Sequence, residues 1–453
     1  MNIEVFVLEA LFWLSIYFLV SLLWYFGMAF ISRSQVKRSL GAGASEPNGV
    51  LPAVTFLIPA CNESAIILRS VRALLGLNYP LLKIIVINDG SSDQTFSILK
   101  NEFLLSKIDV NPRVQLTPTY PRDLYQSGTE PRLQVLNKPN SGKSDSLNVG
   151  LQFVDTEFFV ISDADTVWEG DALRWLVGPV VGADGDKIIA VGGVVGLMNS
   201  EGNLMSRLQL VEYVRAFYVG RLCWNDFNAV PLISGAAGLY RTEVALQAGG
   251  IPLGSETEDL EMTFRLHEYC GRYRPGYRIY FVPQIVCRTW VPLKWSVLIR
   301  QRLRWQRGLV QTIFKFFRFS FSFKNFYFSL FVIPYTVLFE ILSAPFEWLA
   351  VVLILIGRHL HLLTTLDVVL IAVLSLLLGW TGSLLGSWVA WVNPATRKEY
   401  HWTTIAGYSI VELCGYRQIL SLVRLFAALT AFKRRQISWR SDLPADSTNQ
   451  TNR

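Results

Sequence analysis

Ile84-Ile85-Val86-Ile87-Asn88-Asp89-Gly90-Ser91-Ser92-Asp93 is a β-rich run that stops in a polar, glycine-containing turn. It is the pattern of a buried strand feeding a helix, with Ser92 or Asp93 placed to cap that helix. The same alternation recurs on both sides. Short β-rich runs at Val54-Ile58, Phe158-Ile161, Ile188-Val195 and Ile279-Val282 are interleaved with helical patterns such as Ser64-Leu75 and Ser144-Val154. This predicts an α/β domain with a mostly parallel sheet covered by helices. Ligands of such sheets bind at the carboxyl ends of the strands. Asn62-Glu63, Asp89-Gly90 and Asp163-Ala164-Asp165 each follow a strand directly, so they are expected to meet along one edge.

Outside this region the chain is strongly apolar. Over all 453 residues 51% are hydrophobic and 28 are Phe, and the mean hydropathy is +0.33, which points to lipid-facing surface. Leu11 to Ile31 carries no charge and is too long for a signal-peptide core, so it is expected to stay as a transmembrane helix. Arg33, Lys37 and Arg38 follow it and place that end in the cytoplasm. The net charge of +7 gathers beside the apolar runs, as in Arg300, Arg302, Arg304 and Arg307, which argues for a basic cytoplasmic face and against nucleic-acid binding. Five cysteines without CxxC spacing predict free thiols in a reducing compartment and no zinc.

The expected organisation is a transmembrane helix over 1–32, a cytoplasmic linker over 33–52, a cytosolic α/β domain over 53–289 and interfacial amphipathic helices over 290–325. A C-terminal transmembrane region over 326–432 and a disordered polar tail over 433–453 complete it. Apolar segments lie near 326–356, 362–392 and 404–432. The first of them holds Glu340 and Glu347. Each charge costs roughly 2.5–3.5 kcal/mol to insert, against about −0.3 to −0.6 kcal/mol for each of the many Leu, Ile, Val and Phe around them. The two glutamates are therefore expected to face protein or water, either lining a path or pairing with Arg417 or Arg424. Three crossings from the cytoplasm would leave Lys433-Arg434-Arg435 outside, against the positive-inside rule. The last segment is expected to be re-entrant, or one segment to be a pair of shorter helices.

Within the polar signatures, Asp163 and Asp165 at a strand end point the same way if the chain is extended there, and suit a nucleotide-bound Mg or Mn ion. Ser141-Gly142-Lys143 puts a point charge at a helix start, suited to a diphosphate or uridine, although no upstream glycine makes it a Walker loop. Thr257-Glu258-Asp259 opens a helix whose acids also favour its dipole. Gln301-Arg302-Leu303-Arg304-Trp305 reads equally as a basic interfacial helix. Ser234-Gly235-Ala236-Ala237-Gly238 is a small-residue segment suited either to close approach of a ligand or to tight strand packing.

These signatures, in this order and flanked by membrane segments, resemble the membrane-embedded inverting glycosyltransferases of family 2, the group of cellulose, chitin, hyaluronan and poly-N-acetylglucosamine synthases. The resemblance implies a nucleotide-sugar-binding, GT-A-like domain inserted between transmembrane helices. It implies uracil recognition by Asp89, with Asn88 replacing the family's first aspartate, and a base and ribose pocket lined by Asn62 and Glu63. Lys143 would serve the donor, Asp163 and Asp165 the metal, and Gly235 the acceptor. Asp259 would be the general base, its pKa raised by burial or by Glu258, and Gln301, Arg304 and Trp305 would form the family's QxxRW. The implied activity is transfer from a UDP-sugar, with UDP-GlcNAc favoured and UDP-glucose open, to a growing β-linked exopolysaccharide exported through the plasma or inner membrane. Control would be left to accessory export or regulatory proteins. Two other readings stay open: a non-processive lipid glycosyltransferase resembling ceramide glucosyltransferase, and a transporter or channel with a nucleotide-sensing domain.

Overall fold

The computed structural model describes residues 3–41, 50–116, 122–182, 184–321 and 325–433. The expected polar tail lies, beyond Lys433, outside the described residues. Helix α1 spans Ile3–Gly41, which at 1.5 Å per residue is about 58 Å, nearly twice the roughly 30 Å of a bilayer's hydrocarbon core. It does not stop where the linker was expected. Met28, Ala29, Ser32 and Val36 are buried, Ser32 Oγ donates to the Val219 carbonyl at 3.3 Å, and Arg33 donates to the Trp388 carbonyl at 2.9 Å. The first nine residues of the expected linker are thus helix, held by partners far away in sequence.

The β-rich runs all become strands of one sheet. Strands β1 (Val54–Ala60), β2 (Leu82–Asp89), β3 (Ser106–Ile108), β4 (Asp123–Gln126), β5 (Leu133–Lys138), β6 (Phe158–Ile161), β7 (Val167–Trp168), β8 (Ile188–Leu197), β9 (Gly238–Arg241) and β10 (Arg278–Thr289) lie in the order β3-β4-β5-β2-β1-β6-β9-β8-β10-β7. β4, β9 and β7 run against the rest. The sheet is therefore mixed but mostly parallel, with β9 wedged antiparallel between β6 and β8. β1, β6 and β8 are buried along their whole length, as strands covered on both faces must be. The covering and connecting helices are α2 (Ile67–Leu75), α3 (Thr95–Glu102), α4 (Lys143–Leu151), α5 (Ala172–Val181), α6 (Leu204–Tyr218), α7 (Thr242–Gln247) and α8 (Glu258–Tyr273). In α2 the buried residues Ile67, Ser70, Val71 and Leu74 follow the spacing of one helix face.

Helix α9 (Trp295–Lys315) carries the basic tryptophan-containing signature. It is not a free surface helix. Gln306, Arg307, Gly308, Val310, Thr312 and Ile313 are buried, Arg307 donates to Thr430 Oγ1 at 3.0 Å, and Gln311 donates to the Ala431 carbonyl at 2.7 Å. Among the described residues, α1 and Thr365–Ala390 are each long and apolar enough to cross a membrane, and Phe328–Ile341 with Ser343–His359 forms a pair bent by 40°. The last apolar segment is broken. Trp402–Val411 and Arg417–Leu429 flank an irregular turn in which Cys414 and Gly415 leave helical geometry, so neither half has the roughly twenty residues a span requires.

The bent pair also packs on the sheet domain, through Phe328. Its ring is fully buried, 4.9 Å from that of Phe264 and 4.0 Å from that of His267, both on α8. Burial also pushes His267 down to about 3, so it stays neutral in this stack. Phe328→Ala is expected to cost about 3–5 kcal/mol, read as a lowered thermal midpoint of the detergent-held protein.

Candidate active site

The strand ends meet a single large cavity of about 1330 Å³. Of the residues singled out in the sequence, Glu63, Lys143, Asp163, Asp165, Gly235, Glu258, Asp259, Gln301, Arg304 and Trp305 line it. Asn62 and Asp89 do not. Each is instead engaged in holding a loop. Asn62, at φ 61°, accepts the Ser92 and Asp93 N–H groups through Oδ1 at 2.8 and 3.3 Å, tying the end of β1 to the turn after β2.

Asp89 ends β2. Its Oδ1 accepts the Ser141 N–H at 2.9 Å, its Oδ2 accepts the Gly142 N–H at 2.9 Å, and Lys138 ion-pairs with it. A carboxylate offers about four lone-pair sites, so three donors leave room for at most one more. The Lys138 side chain is 0% exposed and also donates to Ser146 Oγ at 3.1 Å. This lysine went unnoticed in the sequence, where it reads as the end of a strand. Lys138→Ala would strand the Asp89 carboxylate without its countercharge, an expected loss of about 3–5 kcal/mol. It should lower the thermal midpoint and loosen the 139–142 loop in hydrogen exchange.

Lys143 begins α4 and reaches Asp163 Oδ1 at 2.7 Å and Glu258 Oε1 at 3.0 Å. Burial works against its charge, but the two carboxylates outweigh it and hold the ammonium well above the ordinary lysine range. Asp163-Ala164-Asp165 is a turn and not extended chain, closed by the Thr166 N–H on the Asp163 carbonyl at 3.1 Å. Ala164 is buried while both aspartates face the cavity, so the carboxylates share a side for a different reason than strand alternation. Burial, and then the charge of Asp163, push the Asp165 carboxyl up to about 6. Among the described residues no three acidic, His or Cys side chains are arranged to hold a metal. Two adjacent, mutually repelling carboxylates at a cavity wall do fit a hard divalent cation whose remaining oxygen ligands come from elsewhere.

Glu258 and Asp259 open the first turn of α8. Burial opposes the Glu258 charge, but Lys143 prevails and lowers its pKa. Asp259 is shifted the other way: burial, and then the Glu258 charge, hold its carboxyl above the usual carboxylate range. Its Oδ2 accepts the Gly235 N–H at 3.0 Å, and a Cβ at Gly235 would lie 3.4 Å from that of Asp259. The glycine thus braces this carboxylate from behind. α9 comes closer still to the acidic turn. A Cβ at Gly308 would sit 2.3 Å from Thr257 Oγ1, so only glycine lets α9 lie against it. Nothing in the sequence singled out Glu212 and Arg221, two further charged residues on the cavity wall. Arg221 stacks on Phe217 at 4.0 Å.

The carboxylates at the strand ends and the sheet order define a GT-A-like glycosyltransferase fold. A mannosyltransferase from Pyrobaculum calidifontis, solved with GDP-Man and Mn2+, shares it with a TM-score of 0.56 over 91% of this chain and 99% of that one, at 20% identity. The chain carries glycosyltransferase family 2 domains. Residues 55–114 match the model of glycosyl transferase family 2, residues 123–308 that of glycosyltransferase-like family 2, and residues 264–392 that of chitin synthase. It is 26% identical to a poly-beta-1,6-N-acetyl-D-glucosamine synthase of Staphylococcus epidermidis over 65% of this chain and 62% of the relative. It is 31% identical to the probable glycosyltransferase YdaM of Bacillus subtilis over 61% of this chain and 59% of the relative. The chain thus spans about three fifths of the length of these relatives. These glycosyltransferase domains set aside the transporter reading.

Proposed function

We propose that this enzyme transfers a sugar with inversion from a UDP-sugar, UDP-GlcNAc in preference to UDP-glucose, to a β-linked polysaccharide that leaves through the membrane segments. The observation that carries this reading is the continuity of the cavity. The wall that holds Lys143, Asp163 and Asp259 also holds Glu340, Glu347, Arg417 and Arg424. Glu347 accepts the Ser421 hydroxyl at 2.6 Å, and Arg424 donates to Ser343 Oγ at 2.9 Å. These polar groups supply a hydrated wall where lipid would otherwise demand apolar residues. The similarity to a poly-N-acetylglucosamine synthase supports the same product class.

In this mechanism Asp259, held in place by the Gly235 N–H, takes the proton of the acceptor hydroxyl as that oxygen attacks the anomeric carbon. Its raised pKa makes it a stronger base than an ordinary Asp near 3.9. Lys143 and Arg304 receive the charge that builds on the departing diphosphate, and Trp305 offers a flat face to a sugar ring. Asp163 and Asp165 would hold Mg or Mn, which when bound supplies positive charge to the diphosphate oxygens. Asp89 serves the base pocket chiefly by fixing the 139–142 loop.

The membrane arrangement follows the positive-inside rule. With the N-terminus outside, α1 crosses inward, the bent pair 328–359 crosses outward and 365–390 returns. The broken segment 402–429 then stays on the inner side, and Arg397, Lys398 and Lys433 share the cytoplasm with the catalytic domain. A cavity opening among membrane helices also suits a lipid acceptor, and product length separates the two.

Purified protein in nanodiscs, given a panel of UDP- and GDP-sugars with Mg or Mn, should release UDP from one donor and build a product of distributed length. Asp259→Asn should lower turnover by about two orders of magnitude or more, and chelation should stop it in a way that added Mn or Mg restores. A single-sugar lipid product would decide for the lipid transferase.

The rate profile should show a matching acidic limb. Asp259 works deprotonated, so activity falls as pH drops through its raised pKa, at higher pH than for an unperturbed aspartate. Glu258→Gln removes one of the charges that raise this pKa, so the limb should move to lower pH. A limb that does not move would count against Asp259 as the base.

A further inference from the structure

Trp305 has two faces, and one of them is already covered. The Arg302 guanidinium lies 4.3 Å from the centre of the Trp305 ring. The same group donates through Nη2 to Glu212 Oε2 at 2.6 Å, and that oxygen also accepts the Tyr416 hydroxyl at 3.0 Å. The Arg302 and Glu212 side chains are only 11% and 22% exposed, so the pair is shielded from the screening that makes surface ion pairs weak. Three distant parts of the chain meet here: α9, α6 and the turn that breaks the last membrane-side segment.

We propose that Arg302 is a positioning residue: clamped by Glu212 and Tyr416, it fixes the plane of the Trp305 indole and leaves the uncovered face as the platform for a pyranose ring. This rests on the reading that Trp305 meets a sugar. A tryptophan held in one rotamer before binding loses less freedom when the sugar arrives, so the clamp should act on affinity. The cation over the opposite face adds an attraction that helps hold the ring still. Tyr416 follows directly on Cys414 (φ −93°, ψ 62°) and Gly415 (φ 106°), where the helix is broken. The orientation of the sugar platform is therefore tied to the position of a membrane-side segment.

The test is a double-mutant cycle on the full-length chain in nanodiscs, using the UDP-sugar that supports turnover and a short β-linked oligosaccharide acceptor. Arg302→Gln is expected to raise KM for the saccharide that stacks roughly threefold or more while kcat changes less. In a Trp305→Ala background the same change should add nothing, because Arg302 acts only through the ring. Arg302→Lys should recover part of the loss, since it keeps the cation, and Tyr416→Phe should give a smaller KM rise of the same kind without threatening the fold. Effects of Arg302→Gln and Trp305→Ala that add overturn the proposal. So does a lowered thermal midpoint with KM unchanged, which is the mark of a bridge that merely staples α9 to α6. If Trp305→Ala itself leaves both KM values unaltered, the sugar platform and its support fall together, while UDP release dependent on Asp259 would leave the transferase reading standing.

Discussion

The close approach of α9 to the first turn of α8 is the constraint on which the site depends. Gly308 has no room for a Cβ beside Thr257, and that contact brings Gln301, Arg304 and Trp305 to the same cavity as Glu258 and Asp259. The same helix is hydrogen-bonded on its other side to Thr430 and Ala431, and Gln306 donates to the Glu340 carbonyl at 3.3 Å. One helix thus touches the acidic turn, the bent membrane pair and the residues just after the helix Arg417–Leu429. A side chain at position 308 would push α9 away from the acidic turn.

Charge in the cavity is arranged as a chain of unequal pairs. Lys143 is shared between Asp163 and Glu258, which leaves Asp165 and Asp259 as the two carboxyls that burial and a neighbouring anion push upward. The rise at Asp165 marks a place where positive charge is in deficit, and the rise at Asp259 marks a group with enhanced basicity. A single lysine at a helix start therefore divides four acids into two that are neutralised and two that are poised.

Much of the catalytic domain was legible because its signals are local. β-branched runs such as Ile84-Ile87 and Phe158-Ile161 became strands, and the polar triplets after them fell at the strand ends. What escaped was decided by distance in sequence. β9 is only four residues long and begins with glycine, so it carries too little pattern to betray an antiparallel wedge. Glu212 and Lys138 look like ordinary helix and strand residues until Arg302 and Asp89 arrive from 90 and 49 positions away. Asn62 and Asp89 were expected to line the base pocket, and the loops they hold together became visible only in three dimensions.

The alternation of strands and helices, the apolar segments and the identity of the acids could be read from the chain alone, because hydrophobic period and residue chemistry are properties of short stretches. It took the fold to show that α1 runs on past its charge-free core, that the last apolar segment breaks at Cys414 and Gly415, and that Asp89 is held by three donors while burial and Glu258 raise the Asp259 carboxyl. Those outcomes depend on which groups are brought within a few ångströms and shielded from water. A carboxylate's strength as a base and a tryptophan's available face are set by such neighbours, and folding alone supplies them.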